Sequence, residues 1–282
     1  MKNKLLNIKG RLFSLERPVV MGILNVTPDS FVADSRQQAE SEVCGRIETI
    51  MKEGGSMIDI GGYSSRPGAS DITPEEEWRR LEPALSILMK NYPAIPVSID
   101  TFRADLAKRA VTDYGVSMIN DISGGAMDKK MFETVAEIQV PYVLTHFRSD
   151  KAPPDREGGY KDENRFPEDV MLYFANKLQL LHRLGVNDVI LDPGFGFGKT
   201  LEQNYELMRN MGQLSLLFDC PLLIGISRKS MIYSLLDCTI EESLNGTTVL
   251  NTCSLLNGAN ILRVHDVKAA VEAVKLVEKI KK

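Results

Sequence analysis

Eight short runs of almost unbroken apolar residues recur along this chain, at 19–25, 57–61, 96–100, 117–120, 141–146, 188–192, 221–226 and 261–264. Helical patterns of roughly 15 to 20 residues separate them, the alternation that βαβ units produce. Near-continuous apolar character, rather than strict alternation, is expected of parallel strands covered on both faces. The series closes at eight, which predicts a (β/α)8 TIM barrel over about 18–280 after a short N-terminal β-hairpin at about 4–17, turning near Lys9-Gly10. No Pro/Gly/Ser-rich linker or fixed-period repeat interrupts the pattern, so 1–282 is read as one domain.

Most of the runs share a second property: they end in, or lead into, a polar side chain. MGILN stops at Asn25, VSID at Asp100, SMIND at Asn120 and Asp121, and VILD at Asp192, while LLIGI leads to Arg228 and Lys229 and ILRVH carries Arg263 and His265. Carboxyl-terminal strand ends form the catalytic face of such barrels. Three long polar connections, 27–38, 62–71 and 148–165, follow strands and are expected to project from that face. Helix starts are marked by Thr73-Pro74-Glu75-Glu76 and Phe166-Pro167-Glu168, the latter helix running to about Leu184 before Gly185, and a further helical register covers 241–257.

Composition narrows the partners. A net charge of −4 and a pI near 5.6 argue against a broad nucleic-acid or anionic-lipid footprint, so any anion site is local. The four cysteines lack CxxC spacing, no secretory leader is visible, and the most apolar stretch, 214–226, is broken by Asp219 and too short for a membrane span. These features lead us to expect a reduced, cytoplasmic protein that does not enter membranes. With three histidines and no HxH or HExxH spacing, zinc is disfavoured.

DPGFGFGKT, residues 192–200, resembles a phosphate loop but has one residue too few for GxxxxGK[ST] and is not GxGxxG. Its glycines allow backbone to approach a flat ligand, and Asp192 at a strand tip accepts paired hydrogen bonds from an amidine-like edge. Asp100, Asn120, Asp192 and Lys229 together suit the donor and acceptor edge of a fused nitrogen heterocycle. Asn25, Ser65, Arg66, Arg263 and His265 suit a polyanion, and Asn25 offers an oxygen to Mg2+ bridging phosphate groups. The plainer reading, that strand-end Asp and Asn residues cap the following helices, holds for any one of them but explains the set poorly.

NVTPDSF (25–31), SSRPGA (64–69), SIDT (98–101), INDISGG (119–125), DPGFGFGK and GISRKS, in this order, resemble the dihydropteroate synthase family of folate biosynthesis from about 18 to 279. The resemblance implies a homodimeric barrel that joins 4-aminobenzoate to 6-hydroxymethyl-7,8-dihydropterin diphosphate with Mg2+ and releases pyrophosphate, a reaction sulfonamides block. It assigns Asp100, Asn120, Asp192 and Lys229 to the pterin, Arg263 to the pterin ring and, with His265, to the diphosphate, Ser65 and Arg66 to the second loop, and Asn25 to the metal. It places 4-aminobenzoate among Thr27, Pro28, Phe31, Pro67, Phe195, Phe197, Lys229 and Ser230. Asn25, Arg66, Asp100, Lys229, Arg263 and His265 are the expected catalytic group. The chain departs from the family pattern at Ser65 (commonly threonine), at Tyr63 (commonly glutamate) and at Thr145-His146-Phe147-Arg148. Two alternatives share the pterin pocket: a methyltetrahydrofolate and corrinoid type of methyltransferase, and a non-catalytic pterin-binding paralogue. The first leaves Asn25, Arg66 and His265 without a purpose, and retention of both the anion and heterocycle groups argues against the second.

Overall fold

A hairpin opens the computed structural model, which describes residues 4–26, 36–64, 71–147 and 166–281. Strands β1 (Leu5–Ile8) and β2 (Arg11–Ser14) pair antiparallel with Ile8 opposite Arg11. The two turn residues, Lys9 and Gly10, both have positive φ (52° and 77°), as a tight two-residue hairpin matched to strand twist requires.

Eight parallel strands follow: β3 (Val19–Asn25), β4 (Met57–Gly61), β5 (Val97–Asp100), β6 (Met118–Asp121), β7 (Tyr142–Thr145), β8 (Val189–Asp192), β9 (Leu223–Ile224) and β10 (Ile261–Val264). Their order is β8-β7-β6-β5-β4-β3-β10-β9, and a Leu191–Leu222 bridge joins the remaining edges. Around them lie α1 (Arg36–Lys52), α2 (Pro74–Asn91), α3 (Ala104–Tyr114), α4 (Met131–Ile138), α5 (Glu168–Arg183), α6 (Leu201–Leu217), α7 (Ser230–Leu236), α8 (Leu244–Leu256) and α9 (Val267–Ile280). The (β/α)8 barrel and its hairpin are therefore as the sequence pattern predicts.

Two elements are shorter than expected. Over 221–226 only Leu223 and Ile224 form a ladder, because Pro221 has no N–H and the Leu222 N–H goes to the Asn260 side chain at 3.1 Å. The register over 241–257 begins as a 3-10 turn, Glu241–Ser243, before α8. The Thr73 start behaves as its chemistry demands, whereas at α5 Pro167 itself stands at the N-cap with no side-chain cap. The Thr73 hydroxyl accepts from Glu76 N–H at 3.2 Å ahead of Pro74, and Thr200 and Gln203 form a reciprocal capping box at α6.

Strand alternation stacks the lumen in layers. Met21, Met57, Met118, Val143, Ile190, Leu223 and Ile261 form an apolar floor, sealed from below by Leu6, Ile8 and Leu15 of the hairpin segment. Two residues further along five of these strands stand Asp59, Asn120, Thr145, Asp192 and Arg263, on the same face as the floor residue below each. The hairpin is held by bonds to the far half of the barrel, from Asn7 N–H to Asp188 (3.1 Å) and from Asn260 Nδ2 to the Leu15 carbonyl (3.3 Å). A second apolar cluster packs the helices onto the outer strand faces. The floor thus closes the amino-terminal end, and the polar layer faces the carboxyl-terminal mouth.

Candidate active site

Adjacent strands deliver the heterocycle group to one place. In register, Gly61 pairs with Asp100 and Asp100 with Asn120, so β4, β5 and β6 present their ends side by side. Arg263 of β10 reaches across to them, with Nε donating to Asp59 Oδ2 at 2.6 Å and Nη2 to Asp100 Oδ2 at 2.8 Å. Asn120 Nδ2 donates to the same Asp59 oxygen at 3.0 Å, which turns the Asn120 amide oxygen away from Asp59 as a free acceptor. Arg263, expected to serve pterin and diphosphate alike, is engaged with the carboxylates of the heterocycle group.

Asp59 is the residue that sequence reasoning missed. It is wholly buried in β4, and its Oδ1 has no hydrogen-bond partner among the described residues. It was hidden inside the apolar run MIDIG, yet a signal existed: Asp59 follows Met57 by two, as Asn120 follows Met118, Asp192 follows Ile190 and Arg263 follows Ile261. Glu77, also fully buried, was missed for a different reason, being one acidic residue among three in the first turn of α2. It pairs with Arg103, whose guanidinium lies 4.9 Å from the Phe102 ring and 5.6 Å from that of Tyr63, the position that departs from the family pattern.

Asp192 and Lys229 complete the group from the other side. Asp192 Oδ1 accepts from Gly194 N–H at 2.8 Å, and Lys229 Nζ donates to the Phe195 carbonyl while lying 4.2 Å from the Phe197 ring centre. The 193–199 loop is braced from within. Lys199, the lysine that mimics a phosphate loop, turns its Nζ onto the carbonyls of Gly194 (2.7 Å), Phe197 (3.2 Å) and His146 (3.3 Å), while Asn204 Oδ1 accepts from Gly196 N–H at 2.7 Å. Gly194, at φ 70°, lies so close to the His146 carbonyl that a Cβ would stand 2.1 Å from that oxygen. Phe195 is buried, Phe197 half-buried, and Ser230 exposed at the start of α7.

The polyanion group is partly in view. Asn25 ends β3 on the exposed rim beside Gly61, and His265 follows β10, its Nδ1 3.0 Å from Ser227 Oγ. Arg228 instead makes a bidentate pair with Asp266 (2.9 and 2.6 Å), and Arg46 of α1 holds the His265 carbonyl at 2.7 Å. Asp121 caps the turn after β6, accepting from Ser123 and Gly125 N–H and from the Tyr142 hydroxyl, a structural role. Thr27, Pro28, Phe31, Ser65, Arg66 and Pro67, and with them most of the connections 27–38, 62–71 and 148–165, lie outside the described residues.

Burial sets the electrostatics of the mouth. It pushes the Asp100 carboxyl up to about 7, against the pull of Arg263 and with the charge of Asp59 adding to the rise. Asp192 is raised by burial as well, with Lys229 and the Gly194 N–H opposing. Lys229 is pushed down to about 8 by burial, against Asp192. Burial opposes the charge on Arg263, but Asp59 and Asp100 outweigh it and hold the guanidinium above its ordinary value. His265 falls to about 4 through burial and the nearby Arg263 and Arg228, so at neutral pH it is uncharged.

No cluster of His, Cys, Asp or Glu suited to a metal cage occurs among the described residues. Asn25 at the rim would offer a single carboxamide oxygen to a magnesium ion, which needs only one or two protein oxygens.

Buried carboxylates, an oriented amide and a desolvated ammonium at the mouth of a (β/α)8 barrel define an enzyme that reads the polar edge of a flat heterocycle. A family model described as pterin binding enzyme matches residues 21–265. Dihydropteroate synthase of Escherichia coli is 35% identical over 96% of this chain and 94% of its own length. The folic acid synthesis protein fol1 of Pneumocystis carinii is 38% identical over 99% of the chain, which spans 38% of that longer protein. A crystal structure of Xanthomonas albilineans dihydropteroate synthase with 4-aminobenzoic acid superposes with a TM-score of 0.86 at 34% identity, covering 99% of this chain and 98% of that one. The chain belongs to the pterin-binding enzyme family and, within it, to the dihydropteroate synthases.

Proposed function

We propose that this dihydropteroate synthase divides its reaction between the two halves of the mouth, holding the pterin from beneath and the diphosphate at the rim. The reaction joins 6-hydroxymethyl-7,8-dihydropterin diphosphate to 4-aminobenzoate, giving 7,8-dihydropteroate and pyrophosphate. The observation that carries the reading is the part-buried set Asp59–Arg263–Asp100 with Asn120 beside it and Asp192 and Lys229 opposite. Asp192 accepts from the amidine-like edge of the ring, the Asn120 oxygen from a neighbouring donor, and Lys229 donates to a ring acceptor.

The bond between the pterin methylene carbon and the diphosphate oxygen breaks, its electron pair leaves with pyrophosphate, and the electron-rich dihydropterin stabilises the cation left behind. The amine nitrogen of 4-aminobenzoate closes the C–N bond and loses a proton to solvent, so no strong general base is needed. His265, Arg66 and Ser65 bind the leaving group, and Asn25 would hold Mg2+. When bound, that ion neutralises charge developing on the departing diphosphate. Phe195, Phe197 and Ser230, with Thr27, Pro28, Phe31 and Pro67, hold the aminobenzoate in line for attack.

We further read the chain as one domain working in the cytoplasm as a homodimer. No described helix is long and apolar enough to cross a membrane. A groove of about 670 Å³ between α8 and α9, which contains none of the mouth residues, exposes Leu244, Leu276 and Ile280 where a second copy would cover them.

The test supplies dihydropterin diphosphate, 4-aminobenzoate and Mg2+ to the purified protein and measures dihydropteroate and pyrophosphate together. Stoichiometric formation of both is expected. Formation of neither by folded protein refutes the reading, and pyrophosphate without dihydropteroate refutes the arylamine step.

A further inference from the structure

Ser227, which lies between the strand-end segment β9 and Lys229, plays no part in the chemistry described so far, yet both of its hydrogen bonds go to one residue. Its Oγ accepts from the His265 backbone N–H at 3.2 Å and lies 3.0 Å from His265 Nδ1. The side chain is buried and 38 residues distant in sequence from its partner. A hydroxyl has one hydrogen to give. Oγ can accept at two lone pairs, so its hydrogen decides the direction: no other described acceptor takes it, and pointing it at Nδ1 leaves no buried donor unsatisfied.

The consequence falls on the imidazole. A ring nitrogen that accepts cannot carry the proton in the neutral ring, so the hydrogen resides on Nε2. The ring is neutral at physiological pH because burial and the neighbouring Arg263 and Arg228 disfavour its charge. No described side chain engages Nε2. The residue is anchored on its other side too, since Arg46 Nη2 donates to the His265 carbonyl at 2.7 Å and Arg46 Nε to that of Ile23 at 3.2 Å. Backbone and ring of His265 are thus fixed by different elements, and one N–H is left to give.

We propose that Ser227 is a positioning residue that locks His265 as the Nε2–H tautomer and so makes it a neutral hydrogen-bond donor to the diphosphate. The proposal rests on the reading of His265 as a diphosphate ligand. A neutral donor suits a leaving group, because it binds the anion without adding a second charge whose attraction must be overcome when pyrophosphate departs. Ser227 belongs to the GISRKS segment, so one short stretch would supply both Lys229 for the pterin and the group that orients His265.

The experiment combines nitrogen-15 NMR of the imidazoles with calorimetric titration of Mg2+-pyrophosphate. The chain has three histidines, so the spectrum is assignable with a His265→Ala control. In the wild type, Nε2 should report as protonated and Nδ1 as an acceptor. Ser227→Ala, checked for folding by thermal melting, should shift the Nδ1 resonance towards an unbonded nitrogen and weaken pyrophosphate binding by about tenfold. Ser227→Thr, which keeps the hydroxyl, should restore both. A wild-type His265 protonated on Nδ1 overturns the proposal, as does a Ser227→Ala protein that binds pyrophosphate like the wild type while His265→Ala does not. If His265→Ala itself binds pyrophosphate normally, the diphosphate role fails and the proposal falls with it, whatever tautomer the spectrum shows.

Discussion

Replacing Asp59 by asparagine should separate stability from binding. In the native barrel Asp59 receives a charge-assisted bond from Arg263 at 2.6 Å and a second bond from Asn120 at 3.0 Å, while its other oxygen is buried without a partner. Exchanging a charged for a neutral acceptor weakens each of these bonds by about 1 to 1.5 kcal/mol, yet it also removes a buried, half-satisfied carboxylate whose desolvation costs about as much. The two effects on folding offset one another, and the melting temperature should move by less than about 4 °C. Binding has no such offset. Asn120 is oriented by a weaker, neutral acceptor, and Asp100 is left as the carboxylate partner of Arg263. A combined loss of about 2 to 3 kcal/mol corresponds to a roughly 30- to 150-fold weaker affinity for the pterin diphosphate. The pH profile adds a sign. Asp100 is pushed up to about 7 with the charge of Asp59 contributing, and in its expected pterin role it would accept from the ligand as the carboxylate. Wild-type affinity should therefore fall as pH drops through about 7, and Asp59→Asn should move that limb to lower pH. Calorimetry across pH with parallel melts decides the matter. Affinity within threefold of wild type at pH 8, or an acid limb that stays in place, would refute the reasoning.

Lys229 sets the opposite limb: with its ammonium pushed down to about 8 by burial, affinity should decline as pH rises through that value, and Lys229→Met should flatten the alkaline side. Persistence of that limb in the variant would assign it to another group. Gly194→Ala places a Cβ 2.1 Å from the His146 carbonyl at φ 70°, so the loop must move. Beyond the about 1 to 2 kcal/mol for a left-handed residue, the clash should lower the melting temperature and weaken pterin binding by way of Asp192, and a variant with native values of both would show the loop to be more yielding than its packing implies.

What could be read from the sequence followed from where each residue sits in a strand. Asn25, Asp100, Asn120 and Asp192 were legible because each terminates an apolar run, and the eightfold alternation told which end of the barrel they share. Asp59 was not, because its neighbours on both sides are apolar and a carboxylate inside a strand is tolerated only through partners, Arg263 and Asn120, that lie far away in sequence. Ser227 was illegible for a related reason: its meaning is a pair of bonds to one residue of another strand end. Lys199 shows the converse, a motif-like lysine whose three backbone acceptors make it a brace rather than a phosphate ligand. The division of the mouth also proved less clean than residue chemistry suggests, since Arg263 is held by the carboxylates of the pterin side.

The ion pairs of the polar layer bear on how the barrel comes together as it is made. Asp59 and Asp100 lie on strands that emerge early in synthesis, but their cation, Arg263, lies 204 and 163 residues further on. The hairpin floor likewise waits for Asn260, 245 residues beyond Leu15, a closure that costs on the order of 5 kcal/mol of chain entropy. A growing chain that has finished β4 and β5 holds Asp59 and Asp100 without their guanidinium. The charges proposed to read the substrate are therefore paired only once the last strand of the barrel has been made.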